Sequence, residues 1–154
     1  MAQGSLVLFD EFAVSSEDGR FDPTSDTYKV ALVSLMPAKS DAVPCWGAGG
    51  TTDLSTDEVT PGGGYTAGGK ALTSTTFDRS GNISTFDAAD VTWTSVGSGD
   101  PSNAVAAVLY SDTATNKDCF GFVDLTPDGS TPVSLLVGNI VLKWSASGIF
   151  TVTV

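Results

Sequence analysis

Histidine is absent from this 154-residue chain. Without an imidazole there is no Ser-His-Asp or Cys-His nucleophile, no histidine metal ligand and no ordinary general base near neutral pH. A carboxylate pair could still hydrolyse glycosides, but among 18 acidic residues some pair will always lie close together, so the sequence alone carries no such signal. We therefore predict that the protein is not an enzyme and needs no cofactor.

Basic residues are few, and long apolar runs are missing. The 7 lysines and arginines against 18 acids leave a net charge of −11, which repels phosphate backbones and anionic lipid surfaces. No run approaches the roughly 18 apolar residues of a membrane helix, and the N-terminus lacks the basic-then-apolar layout of a signal peptide. We expect no nucleic-acid partner, no membrane, and synthesis in the cytoplasm without a leader.

Cysteine occurs only twice, as Cys45 and Cys119. Cys45 lies in a stretch of proline, tryptophan and glycine that reads as a loop, whereas Cys119 opens an apolar run typical of a strand. A chain made in a reducing cytoplasm does not usually form structural disulfides. We predict two free thiols.

Threonine, valine, serine and glycine are abundant, while glutamate occurs three times. This composition favours strands and turns over helices. Eight or so short strands separated by turn clusters predict one all-β domain over residues 1–154, an antiparallel β-sandwich or jelly-roll-like fold. Leu6, Phe9 and Phe12 stand at roughly helical spacing and predict a short N-terminal helix within residues 5–14, with a first strand as the alternative.

The clearest strand patterns lie in and around the glycine-rich stretch 62–95. A turn cluster at 78–82 between two runs of β-formers predicts a hairpin, and the alternation of Val91 and Trp93 with threonines predicts a half-buried strand. Residues 28–36 and 104–110 are apolar on both alternating faces. Such strands are covered on both sides, and we expect the opposite sheet on one face and another subunit on the other.

The tryptophans divide into two groups. Trp93 and Trp144 have apolar neighbours on their strand faces, so we predict that they are buried rather than part of a sugar-stacking platform. Trp46 lies in the long, proline-rich connection 37–61 and has two interpretations, an anchor in the chain's own core or a contact for a partner.

Two acidic groups invite a metal hypothesis. Asp53, Asp57 and Glu58 do not have the spacing of a 12-residue EF-hand loop, so we predict no metal there. Asp22 and Asp26 lie in a turn region, and we expect them to cap and bond locally.

Several segments in order along the chain resemble a family of small structural proteins of tailed-bacteriophage virions. The family pattern combines a DTxKVAL strand, a GYTAGG turn, a D(A/T)xDVxW strand and a closing GI(F/L) strand. The matching segments are DTYKVALV at 26–33, EVTPGGGYTAGGKAL at 58–72, DAADVTW at 87–93, AVAAVLY at 104–110, GFVD at 121–124 and SGIFTV at 147–152. This chain departs from the pattern in its long 37–61 connection and in Cys45.

The resemblance implies a non-enzymatic virion protein similar to the cement or decoration proteins on the outer face of capsids. Its partners would be the major capsid protein and itself, as a homotrimer at local threefold positions. Because termini and loops carry such contacts, we expect Phe9, Phe12 and Trp46 to touch the coat or a neighbouring copy. The alternative is a tail-fibre or adhesin-like module that binds host carbohydrate.

Overall fold

The computed structural model describes residues 4–153, and this part of the chain is built mainly of strands. The prediction of an all-β protein with little helix is confirmed. The helical elements are α1 (Phe12–Glu17) and two 3-10 helices, Leu54–Asp57 and Leu135–Val137. The strands are β1 (Leu6–Leu8), β2 (Tyr28–Val33), β3 (Pro44–Cys45), β4 (Thr52–Asp53), β5 (Lys70–Ala71), β6 (Thr76–Ser80), β7 (Ile83–Asp87), β8 (Val91–Trp93), β9 (Ala106–Ser111), β10 (Cys119–Asp124), β11 (Ile140–Leu142) and β12 (Phe150–Thr153).

The largest sheet has five antiparallel strands in the order β1-β10-β9-β2-β5. β2 and β9 pair along their whole length, from Tyr28 opposite Ser111 to Val33 opposite Ala106. Both strands lie inside the sheet, where an apolar side chain on either face can be buried. The predicted strand 28–36 is three residues too long, because the chain leaves the sheet after Val33.

One face of this sheet packs against two smaller antiparallel sheets, β8-β11 and β12-β7-β6. Phe86, Trp93 and Phe150 come from the smaller sheets, and their side chains are buried in the same cluster as Tyr28 and Phe120 of the large sheet. Aromatic rings meet edge to face here, with 5.2 Å between the centroids of Tyr28 and Phe86. The prediction that Trp93 is buried is confirmed.

The opposite face of the large sheet is covered by the chain's own long connection. Trp46 and Leu54 from residues 37–61, together with Phe9, pack on the second face of β2, β9 and β10. As a result every residue of β9 and five of six in β2 are buried within one copy. The prediction that another subunit covers these strands is therefore wrong, since the connection supplies the cover.

The N-terminus contains both of the elements between which the sequence left the choice open. β1 extends the large sheet by pairing Leu6 with Val123, and α1 begins four residues after β1 ends. Arg20 holds this corner through Glu11 at 2.9 Å and Asp118 at 2.7 Å. None of the helices within residues 4–153 is long and apolar enough to cross a membrane.

Two predicted strands differ in extent from the observed ones. The hairpin turn is narrower than 78–82, because β6 continues to Ser80, which pairs with Ile83 across a turn at Gly81 and Asn82. The run of β-formers before this turn, residues 71–77, predicts a single strand, but the chain is broken between β5 and β6 near Ser74, which has a positive φ of 53°. The alternation at the C-terminus predicts Phe150, Val152 and Val154 on one side of the last strand; Phe150 is buried and Val152 is exposed, while Val154 lies outside the described residues.

Candidate functional site

The three residues predicted to contact a coat protein pack within the chain. Phe9 and Trp46 are buried together on the second face of the large sheet, and Phe9 contacts Phe122 with 5.3 Å between ring centroids. Phe12 is half-buried in the main core, between Phe21 and Phe150. The structure thus places Trp46 as an anchor in its own core, and the role of all three in contacting a coat protein stays a prediction.

A different part of the chain presents apolar side chains to solvent. The exposed fractions are 85% for Val137, 47% for Leu136 and 46% for Val141. We call these three residues the aliphatic surface. Contiguous exposed apolar side chains mark binding sites more often than scattered single residues do, and Val137 and Val141 line the same groove.

The local backbone explains why these side chains face outward. The buried Leu135 anchors the 3-10 helix, and its N–H donates to the carbonyl of Pro101 at 2.9 Å. One short helical turn cannot turn three consecutive aliphatic residues inward, so Leu136 and Val137 remain outside. Val133 fixes the entry to this turn by a two-way backbone pair with Ala104.

β11 supplies the third residue of the aliphatic surface by strand alternation. Ile140 pairs with Trp93 and Leu142 with Val91, so both side chains are buried against the main core. Val141 between them must point to the other side, because successive side chains of a strand alternate. The sequence gives a sign of this surface, because the consecutive aliphatic residues Leu135-Leu136-Val137 lack the polar-apolar alternation of a half-buried strand.

A groove of about 600 Å³ runs beside the aliphatic surface. A second groove of about 570 Å³ shares two of its lining residues, Leu125 and Val141, and continues to Lys143 and Trp144. The residues that line the first groove are all uncharged, namely Leu125, Pro132, Val133, Ser134, Val137, Gly138, Asn139, Ile140 and Val141. In a chain of net charge −11, this groove therefore differs from the rest of the chain in having no charged lining residue.

Trp144 lines the second groove and is half-buried. The prediction that it is buried is therefore wrong. Its backbone N–H donates to the Asp90 carboxylate at 3.0 Å and its indole N–H to the carbonyl of Ala89 at 3.1 Å, which hold the ring at the edge of the core.

The acids considered as metal ligands have local roles instead. The Asp53 carboxylate accepts from the N–H groups of Gly47 and Ser55, and so caps the 3-10 helix 54–57. Asp22 accepts from Thr24 and Ser25, and the bond from the Thr24 hydroxyl leads the contacts that lower the pKa of Asp22 to about 2. The expectation of local bonding at Asp22 is confirmed. Residues 4–153 contain no group of three or more cysteine or acidic side chains arranged to hold a metal ion.

The glycine-rich turn of the resemblance is tied to the large sheet by Tyr65. Its buried hydroxyl donates to Glu58 at 2.8 Å and accepts from the N–H of Leu32 at 3.0 Å. Glu58 also accepts from the N–H of Gly68. Burial is the main cause that raises the pKa of Tyr65, so the hydroxyl keeps its proton in the folded protein. This arrangement holds the loop and leaves no reactive group exposed at Tyr65.

The two cysteines are buried, free thiols, as predicted. The Cys45 thiol donates to the carbonyl of Gly47 at 3.3 Å, and burial raises the pKa of both thiols. A thiol with a raised pKa is a poor nucleophile because the thiolate is the reactive form.

Comparisons with models of protein families, with curated proteins and with solved structures found no match. The aliphatic surface is the candidate site on the ground of its exposure, its continuity with two grooves and its lack of charge.

Proposed function

We propose that this chain is a non-enzymatic structural protein of a tailed-bacteriophage virion, a cement protein that stabilises the outer face of the capsid as a trimer. The observation that carries the proposal is an exposed, uncharged aliphatic surface on an otherwise acidic all-β body. Contact of this surface with another protein is favourable in free energy, because it removes apolar area from water.

Several residues of the segments that carry the resemblance hold this β-domain together. Tyr65 of the GYTAGG turn bonds to β2, and Asp90 of the DAADVTW segment bonds to the backbone of Trp144. Gly69 lies so close to the carbonyl of Val30 that a side chain would collide with it. These residues of the resembling segments therefore contribute to the stability of this β-domain. We also propose that the packing of the five-stranded sheet against the two smaller sheets is a β-sandwich.

The acidic surface suits the outside of a shell. Exposed carboxylates such as Asp10 and Asp78 would face solvent or meet basic patches on the major capsid protein, where complementary charge guides attachment. Repetition at each local threefold position would multiply a weak contact, since three subunits hold one another in place.

A carbohydrate-binding tail-fibre or adhesin module is the second candidate, and one observation favours it. The half-buried Trp144 lines the second groove, where a sugar ring could stack on it. Trp46 and Trp93 are buried and offer no second ring for a platform. Quenching of tryptophan fluorescence by host glycans, lost in Trp144→Ala, would support this candidate over the first.

The test of the main proposal is a reconstruction of virions of the phage that encodes the chain. We expect density for this β-domain on the outer face of the head at local threefold positions. Density restricted to the tail would contradict the cement role, and absence of the chain from purified virions would contradict the virion role. Turnover of a glycoside, ester or phosphate substrate, lost on a point mutation, would contradict the non-enzymatic assignment.

A further inference from the structure

We propose that the aliphatic surface is the contact between copies of this chain, with Leu136 and Val137 of one copy seated in the uncharged groove of the next. The inference deepens the proposed function, on which its biological role rests, by naming the surface and its occupant.

Val137 is the most exposed of the large hydrophobic residues in the described part of the chain. It stands on a turn fixed at both ends, by the Leu135 N–H bond to Pro101 and by the Gly138 N–H bond to Leu135. A projecting side chain on a fixed turn loses little conformational freedom on binding, so its burial yields more of the hydrophobic gain. The turn is therefore suited to enter a cavity.

Charge decides which occupant fits. The fourteen residues between Asp128 and Lys143 form the longest uncharged stretch of the chain, and the groove is built largely from them. Two copies of net charge −11 repel each other wherever acidic surface meets acidic surface. An uncharged face is where a second copy can approach with the least repulsion, whereas a basic partner would choose the acidic surface.

The shape of the region supplies both halves of a contact. Leu136 and Val137 project next to the groove, with Val137 forming part of its wall. Because the projecting turn and the groove lie side by side, each copy can insert its turn into one neighbour and accept the turn of another in its groove. Such head-to-tail contacts form a closed ring when the rotation between copies permits. The second groove, continuous through Leu125 and Val141, extends the recess.

The experiment measures the mass of the full-length protein by analytical ultracentrifugation over a wide range of concentration. We expect the wild type to have a multiple of the chain mass of 15.7 kDa. Val137→Asp places a carboxylate in the proposed contact and should weaken self-association by at least about tenfold. Val137→Ile keeps the side chain apolar and should retain the assembly.

Val152→Asp is the matched control. Val152 is an exposed valine of β12, outside both grooves, so the same change in charge should leave the mass of the assembly unchanged. Circular dichroism and thermal melting of each variant show that a loss of assembly is not a loss of fold. Higher salt should strengthen the wild-type assembly, because it screens repulsion between acidic copies while the apolar contact persists.

A wild type that stays monomeric at every concentration would overturn the inference. Equal weakening by Val137→Asp and Val152→Asp, or an assembly that salt dissociates, would overturn it as well. The inference and the proposed function fail separately. Isolated single copies on the virion would refute the contact but not the virion role, and a Val137-dependent oligomer absent from virions would refute only the virion role.

Discussion

The indole of Trp46 stacks on the phenol ring of Tyr110, with 5.0 Å between the ring centroids and 9° between the ring planes. Trp46 belongs to the long 37–61 connection and Tyr110 to the central strand β9, so this pair attaches the connection to the sheet. The Tyr110 hydroxyl donates to the carbonyl of Gly68 at 2.8 Å and links the same point to the glycine-rich turn. One ring pair thus joins three distant segments.

Removal of the Trp46 ring should destabilise the whole domain. We expect Trp46→Ala to lower the free energy of unfolding by about 3–5 kcal/mol, the usual cost of a large-to-small change in a core. Trp46→Phe retains a ring against Tyr110 and should lose less. Urea unfolding followed by circular dichroism measures both. A loss below about 1 kcal/mol for Trp46→Ala would mean that the connection does not depend on this ring.

Trp93 and Trp144 should respond very differently to the same substitution. Trp93 is fully buried, and its ring nitrogen has no hydrogen-bond partner among the described residues, so its contribution is packing. We expect Trp93→Ala to cost about 3–5 kcal/mol, and Trp144→Ala, at a half-buried position, to cost about 1–2 kcal/mol. Equilibrium unfolding of the two variants gives the comparison. Equal losses would refute the difference in burial.

The Asp100 carboxylate should make the stability of the folded protein depend on pH in the acidic range. Its carboxylate accepts from the N–H groups of Gly64 at 2.6 Å and of Val96 and Gly97 at 2.7 Å. These bonds, that from Gly64 above all, lower the pKa of Asp100 below its ordinary value of 3.8. Because the folded pKa is the lower one, the stabilisation is complete above the ordinary value and is lost as pH falls through the folded pKa.

Asp100→Asn should therefore lower the melting temperature at neutral pH by about 3–6 °C. The difference from wild type should shrink as pH falls below about 4 toward the lowered pKa of the folded Asp100 carboxylate. Asp78→Asn, at an exposed position of β6, is the control and should show neither effect. Thermal unfolding between neutral pH and about pH 2 tests this, and a difference that stays constant across the range would contradict it.

Alanine substitutions at Gly69 and Gly81 distinguish the cost of backbone strain from the cost of a steric collision. Both have a left-handed φ, 72° and 62° respectively. A Cβ at Gly81 would meet open space, so Gly81→Ala should cost only the conformational strain of about 1–2 kcal/mol. A Cβ at Gly69 would collide with the Val30 carbonyl in β2, and we expect a loss above about 3 kcal/mol. Similar unfolding midpoints for the two variants would contradict the close approach.

Local patterns in the sequence were sufficient for the fold class and several strands. Val91 and Trp93 alternate with threonines because only one face of β8 meets the core, and that alternation is a property of neighbours in the chain. The two-sided apolar runs of β2 and β9 likewise predicted interior strands. The absence of histidine likewise follows from the composition alone.

Tertiary structure decided what covers each surface. Nothing near Trp46 in the sequence says that its ring will stack on Tyr110, 64 positions away, and so replace a subunit that we had expected on that face. The run Leu135-Leu136-Val137 lacks strand alternation, but which of its side chains is exposed follows only from the tertiary structure, in which the buried Leu135 anchors a single helical turn. Burial depends on contacts between distant segments, and sequence periodicity reports only the order of residues within one segment.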